Sequence, residues 1–309
     1  MGEVYQEIDY LYLPKNTFLK NGEYRVLRKL KDRSNLSIVY LGLNKSGERV
    51  VIKEYFPKNL VLRDIDGISV ICRSNKLKDK NKRAKREFIK EAQIMSQFKD
   101  NPYICNCIEY FQENSSVYII MKYYAGQTLE DIINNKEICF DEFFRKLFIP
   151  ILDAANAIHA KGYIHRDLKP NNIIINQAKP VIIDFGSAVE YKCTKKKKIL
   201  LTPGFSPIEF YSEKTRQGPY SDIYSLAAIL YYFLSDTIPI EANERIIEDN
   251  LEHINQLTKE KCWYLGKLIM NNLSLDHKER CRSIKRFKFL LLVQFFKDKI
   301  KQIILFNKK

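Results

Sequence analysis

No apolar stretch in this 309-residue chain is long enough to cross a bilayer. The longest, Phe289 to Phe296, falls well short of the roughly 20 residues that a spanning helix needs. The opening Met1-Gly2-Glu3-Val4-Tyr5-Gln6-Glu7 lacks both a basic n-region and an apolar h-region, and Gln6 stands where N-myristoylation wants Ser or Thr. A soluble, cytoplasmic protein is therefore expected. The seven cysteines, Cys72, Cys105, Cys107, Cys139, Cys193, Cys262 and Cys281, are odd in number and contain no C-x-x-C pair, so they read as reduced thiols. Cys105 and Cys107 have no His or further Cys close by, which argues against zinc. No internal repeat is visible, and no RNA- or DNA-binding motif.

What is present is an ordinary globular composition, 45% hydrophobic and 29% charged, in a chain long enough to bury a core in one or two domains. The net charge of +15 is the exception. Lys, Asn and Ile dominate throughout, so much of this basicity reads as compositional bias. The functional alternatives are an acidic protein substrate, nucleic acid or an anionic membrane surface, and no motif supports nucleic acid.

Residues 24 to 55 alternate β-rich runs with polar breaks: Tyr24 to Leu30, Leu36 to Leu43, and Glu48 to Tyr55 after the turn Lys45-Ser46-Gly47. Asp66-Gly67 predicts a smaller hairpin between Val61-Leu62 and Val70-Ile71. Phe88, Ala92, Met95 and Phe98 follow helical spacing within Lys82 to Phe98, with Glu91 at the border of that face. Cys107 to Phe111 and Val117 to Met121 read as two more strands, which makes five strands and one helix up to residue 124. Beyond Gly126 the pattern is helical. A stripe from Phe144 through Ile158 ends at Gly162, with Pro150 expected to kink or end a helix inside it, and helical runs follow at 222–234, 260–273 and 283–305.

The most informative segment is His165-Arg166-Asp167-Leu168-Lys169-Pro170-Asn171-Asn172, then Ile173-Ile174-Ile175, then Ile183-Asp184-Phe185-Gly186. Asp167 can accept a hydroxyl proton, while Asn172 and Asp184 offer oxygens to a hard cation. Together they read as a phosphoryl-transfer site. With Val51-Ile52-Lys53 upstream, the chain from about residue 20 to about 290 resembles the eukaryotic-like protein kinases. A bacterial serine/threonine kinase family is closest, on Leu13-Pro14-Lys15-Asn16-Thr17-Phe18-Leu19, Gly22, Tyr24 and Val26, and on Glu54-Tyr55-Phe56-Pro57.

The resemblance implies an α+β, bilobal protein-kinase fold. The small N-lobe, at 21–122, would hold an antiparallel sheet and one helix. The larger, mainly helical C-lobe would occupy 123–290, between an extension at 1–20 and a basic helical tail at 291–309. It implies an ATP-dependent transfer to serine or threonine of a protein substrate, acidic by the charge argument, with Mg2+ as cofactor and Mn2+ as an alternative. Lys53 would pair the nucleotide's α- and β-phosphates, held by Glu91. Asp167 would orient the substrate hydroxyl, and Lys169 would neutralise charge on the transferred group. Asn172 and Asp184 would hold the metal. Met121 falls at the gatekeeper position, and Tyr123 lies where backbone meets adenine. Asp222 would cap its helix and brace the catalytic loop, Glu209 and Arg280 would form a buried pair, and Gly186 would give the turn after Phe185. His165 reads as a packing residue, and His159, His253 and His277 carry no constellation.

The departures lie in the phosphate loop. Val39 fixes its register, and the three glycine positions hold Asp32, Ser34 and Ser37. Any left-handed geometry there costs roughly 1 to 2 kcal/mol per residue. Weaker ATP binding or an unusually positioned loop follows, and the alternative function is a pseudokinase that binds partners or nucleotide without turnover, although the serines keep hydroxyl and backbone donors. Pro207-Ile208-Glu209 replaces the usual A-P-E without losing the glutamate. Lys76 to Arg83 reads as a solvated loop, with an acidic docking partner as the sharper alternative. Thr194 is a candidate autophosphorylation site that Arg166 could receive, with Thr202 shaping the substrate site. The apolar face of Phe287 to Lys309 reads as core and cap for the last helix, and membrane contact is the minority reading. Secretion into a host cell is the alternative localisation. Nothing in the chain speaks to oligomeric state.

Overall fold

The computed structural model describes residues 11–30, 36–193, 197–258 and 263–306. The chain divides into two units: residues up to Asp100 together with Cys105–Tyr124, and Asn101–Ile104 together with Ala125 onward.

The first unit is built on strands β1 (Phe18–Leu19), β2 (Tyr24–Lys29), β3 (Ser37–Asn44), β4 (Arg49–Tyr55), β7 (Cys107–Glu113) and β8 (Ser116–Lys122), in the order β1-β2-β3-β4-β8-β7. Between β4 and β7 come the hairpin of β5 (Val61–Arg63) and β6 (Val70–Cys72) and the helix α1 (Lys78–Met95). The sheet has six strands where the pattern predicts five. Phe18–Leu19 is too short to show an alternation, and its place comes from pairing with Tyr24 and Arg25. All neighbours pair antiparallel, and Val26, Ile38, Tyr40, Ile52, Tyr118 and Ile120 are fully buried in the core on one face. Gly42 is required there by close approach, since a Cβ would meet Ile52 Cδ1 and the Arg25 carbonyl.

The second unit begins with β9 (Gln127–Thr128) and α2 (Leu129–Asn135), whose N-terminus is a capping box: the Asp131 N–H donates to Thr128 Oγ1, and the Asp131 carboxylate accepts from the Thr128 N–H. The kink or helix end expected at Pro150 takes the form of a change in winding just before it, with Pro150 in the first turn of the next helix. The helical path runs unbroken through α3 (Phe140–Glu142), a π-wound segment (Phe143–Phe148) and α4 (Ile149–Ala160). Pro150 has no N–H to offer the preceding turn, and the chain absorbs this by widening to π geometry just before it. Gly162 ends α4 at φ +87, a left-handed position suited to glycine.

Next come β10 (Tyr163–Ile164), β11 (Ile173–Asn176), β12 (Lys179–Ile182) and β13 (Val189–Glu190). The remaining helices are α5 (Pro219–Ser235), α6 (Ala242–Ile247), α7 (Ile254–Leu257), α8 (Trp263–Asn272) and α9 (Ile284–Phe306). Residues 221–232 of α5 are buried all round, which marks it as the core helix of this unit. A ring cluster seals the helical side, with Phe143 stacked on Phe233 at 3.8 Å and Phe144 on Phe295 at 4.4 Å.

Candidate functional site

In the first unit, β4 presents Lys53 and Glu54 to opposite faces, as alternation in a strand requires. Lys53 sits between Val39 of β3 and Ile119 of β8, and its ammonium reaches Glu91 Oε1 of α1 at 2.6 Å, both side chains being buried. Glu91 shares its helix face with Phe88, Ala92 and Met95, so packing of that face aims the carboxylate at the strand. Ser37 is buried, and among the described residues its Oγ has no hydrogen-bond partner. Met121 is buried in β8, and the Arg49 guanidinium lies over the ring of Tyr123 at 5.9 Å. Asp32 and Ser34 lie outside the described residues.

Behind Lys53 lies a network with no signal beyond the Glu54-Tyr55-Phe56-Pro57 motif itself. Glu54 accepts two bonds from Arg63, Nη1 to Oε1 at 2.6 Å and Nη2 to Oε2 at 2.7 Å. It accepts two more from the Tyr40 and Tyr118 hydroxyls at 2.8 and 3.2 Å. Burial, then the Glu54 charge, pushes both phenols well above their usual range. Arg63 also donates to the Leu11 and Ile68 carbonyls, and Tyr40 Oη accepts from the Leu13 N–H, so the segment before β1 is fastened to the back of β4.

In the second unit the candidate site residues ride on the loop after β10. Asp222 is completely buried, and its carboxylate accepts from the backbone N–H groups of His165 (2.8 Å) and Arg166 (2.9 Å). It therefore braces the loop, but it does not cap α5. That helix starts three residues earlier, at Pro219, and Ser221 Oγ accepts from the Gly218 N–H. His159, expected to be idle, lies 2.7 Å from Asp222 Oδ2 through Nε2. Burial alone would raise the Asp222 carboxyl, but the His159 hydrogen bond and charge, with the loop donors, outweigh it and hold it below the usual carboxylate range. His165 packs, with its ring edge-on to Phe185 at 4.9 Å, and burial holds its imidazole below the ordinary value.

Both carboxylate oxygens of Asp167 are engaged. Oδ2 accepts from Asn172 Nδ2 at 2.8 Å. Oδ1 accepts from Thr202 Oγ1 at 2.8 Å and lies 3.0 Å from Lys169 Nζ, which itself donates to Thr202 Oγ1 at 2.9 Å. Asp167, Lys169 and Thr202 thus form a closed triangle that sets a carboxylate, an ammonium and a hydroxyl in fixed relation. Arg166 donates to the Lys198 carbonyl (2.6 Å) and lies over the Phe210 ring. Thr194, its proposed phosphate donor, lies outside the described residues.

The Ile183 N–H donates to the Asn172 carbonyl, which sets Asn172 beside the start of the Asp184 turn. The turn expected after Phe185 is present, closed by the Ala188 N–H donating to the Phe185 carbonyl at 3.0 Å, while the left-handed residue is Asp184 at φ 66, whose Oδ1 accepts from the Gly186 N–H at 3.3 Å. Asn172 and Asp184 supply hard oxygens. Among the described residues no group of three His, Cys, Asp or Glu gathers to hold an ion. That set fits Mg2+, which takes one or two protein oxygens and completes its shell with phosphates and water. Farther along, Arg280 grips Glu209 through Nη1 and Nη2 at 2.8 and 3.2 Å, and Ser221 Oγ adds a bond to the same carboxylate.

Residues 58–290 match the model of the protein kinase domain. The chain is 32% identical to sperm motility kinase 2B of Mus musculus over 46% of this chain and 30% of the relative. It is 29% identical to CBL-interacting serine/threonine-protein kinase 8 of Arabidopsis thaliana over 72% and 46%. A probable serine/threonine-protein kinase of Clostridium perfringens (strain 13 / Type A) is 30% identical over 54% and 24%. The chain spans about a third of the length of the first of these curated relatives. The solved structure described as the apo form of PpkA-294 superposes with a TM-score of 0.78 at 28% identity, covering 91% of this chain and 99% of that one.

Proposed function

We propose, on the premise that the chain belongs to the protein kinase family, that it transfers the γ-phosphoryl group of ATP to serine or threonine hydroxyls of proteins. The Asp167–Lys169–Thr202 triangle carries this reading: a base, a cation and a hydroxyl held within 3.0 Å of one another. The substrate oxygen bonds to the γ-phosphorus as the bond from that phosphorus to the β–γ bridging oxygen breaks. ADP leaves with that electron pair, and the hydroxyl proton passes to Asp167 Oδ1. Lys169 offsets the negative charge on the phosphoryl oxygens. Lys53, fixed by Glu91, would hold the α- and β-phosphates. Asn172 and Asp184 would hold Mg2+, whose charge when bound neutralises the phosphates. The net charge of +15 supports acidic protein substrates through electrostatic steering.

The second reading, a pseudokinase, is favoured by the phosphate loop with Asp32, Ser34 and Ser37 in the glycine positions. Labelled ATP with Mg2+ and generic acidic and basic protein substrates separates the two. Wild type should exceed Asp167→Ala by about 10²- to 10⁴-fold in kcat. Equal signals from the two proteins would leave only the binding role. A thermal shift with ATP and Mg2+ then tells a nucleotide-binding scaffold from an empty one.

A further inference from the structure

The last helix has two apolar faces, where one is enough to pack it. Ile284, Phe287, Leu291 and Phe295 are buried against the second unit. On the opposite side Phe289, Phe296, Ile300 and Ile303 recur at seven, four and three residues, and they are exposed, Phe289 by 64% and Ile303 by 61%. Cations border this outer stripe: Lys285, Arg286 and Lys297 are exposed, and Lys299 and Lys301 are half-buried. The only acidic residue of α9, Asp298, is turned inward, where it accepts from the Tyr264 and Leu265 N–H groups. Lys297 lies over the Tyr264 ring at 5.6 Å and Lys301 over the Trp263 ring at 4.1 Å, so an indole and a phenol stand beside the stripe. Lys299 shares its charge with Asp141 at 3.3 Å.

We propose that the outward face of α9, with Trp263 and Tyr264 at its margin, docks in the plane of an anionic phospholipid surface. An apolar stripe flanked by cations suits the boundary between headgroups and acyl chains, where lysine stems lie along the apolar layer and carry their charge outward. Trp and Tyr favour that same boundary. A second copy of the chain would bring one lysine border against another. An acidic protein is less well matched, because lysine is depleted at protein interfaces. The helix lies on the surface and does not cross it; no helix among the described residues is long and apolar enough to span.

Trp263 is the only tryptophan, so its emission reports on this face alone. The full chain should co-sediment with phosphatidylcholine–phosphatidylserine vesicles but not with phosphatidylcholine alone, and its emission should shift to the blue. The triple change Phe289→Ser, Phe296→Ser and Ile300→Ser should weaken binding at least about tenfold, and Lys285→Gln and Arg286→Gln about fivefold each. The charge variants keep the test open if the triple variant destabilises the fold. No sedimentation, or sedimentation indifferent to lipid charge and to all these variants, would overturn the proposal. So would a dimer, seen by light scattering, that the triple variant abolishes, or a Trp263 shift produced by polyglutamate but not by vesicles.

Discussion

Each unit sets a completely buried carboxylate behind its candidate site residue, and the two are used differently. Glu54, next to Lys53, is occupied by other side chains: Arg63, Tyr40 and Tyr118. Asp222 is spent largely on backbone, the N–H groups of His165 and Arg166. The cause lies in what each candidate site residue rides on. A strand satisfies its own N–H and C=O groups through the ladder, so a carboxylate beneath it has no main chain to hold and can join distant segments instead. A loop leaves donors that must find partners once buried, and the residue that supplies them also decides where the loop sits.

The largest effect should come from breaking the side-chain network. Arg63→Ala leaves Glu54 buried without its guanidinium and should lower unfolding stability by about 3 to 5 kcal/mol in urea, as should Arg280→Ala beside Glu209. A loss under about 1 kcal/mol would mean that the phenols alone satisfy Glu54.

A smaller loss, about 1 to 3 kcal/mol, is expected of Asp222→Asn, which weakens acceptance from two buried N–H groups. Activity should fall with it, because the loop carries Asp167. This variant also has a pH signature. The folded-state carboxyl is held low, so its contribution is fully present above the unfolded value of about 3.9 and is lost as pH falls through the lower folded value. Wild type should therefore lose stability more steeply than the variant below about pH 4, and parallel curves would remove Asp222 from the acid response.

The smallest effect sharpens the backbone half of the comparison. Thr128→Ala removes a partner for only one donor, at an exposed helix end, and should cost about 1 kcal/mol in thermal melts without touching kcat. A change in kcat would show that α2 is coupled to the loop that carries Asp167.

The parts of the fold that were legible in the sequence are those with local causes. Strands 24–29, 49–55 and 116–122 announce themselves by composition and alternation, and α1 by its apolar spacing. The Lys53–Glu91 pairing is what the kinase resemblance implies, and the structure holds the two side chains 2.6 Å apart. The capping box at Thr128 and Asp131 marks the start of α2, within the helical pattern beyond Gly126, from residue types alone. Other features had no local cause. His159 looked idle because its partner lies 63 residues away. The turn at Gly186 lies where the motif puts it, but the left-handed backbone two residues earlier, at Asp184, is set by the surrounding loop. The kink or helix end expected at Pro150 becomes a π turn that absorbs the proline while the helical path continues.

By itself the sequence determined which chemistry the chain could carry: Asp167, Asn172 and Asp184 at their spacing, Lys53 on a strand and Glu91 on a helix. These depend on residue type and on distances along the backbone. Only the tertiary structure decided the buried contacts that no motif names. It set His159 on Asp222, closed Glu54 on Arg63, and chose which apolar face of α9 to bury. The reason is that a side chain's partner across tens of residues is set by how whole elements pack, and α9 offered two apolar faces, of which packing could cover one.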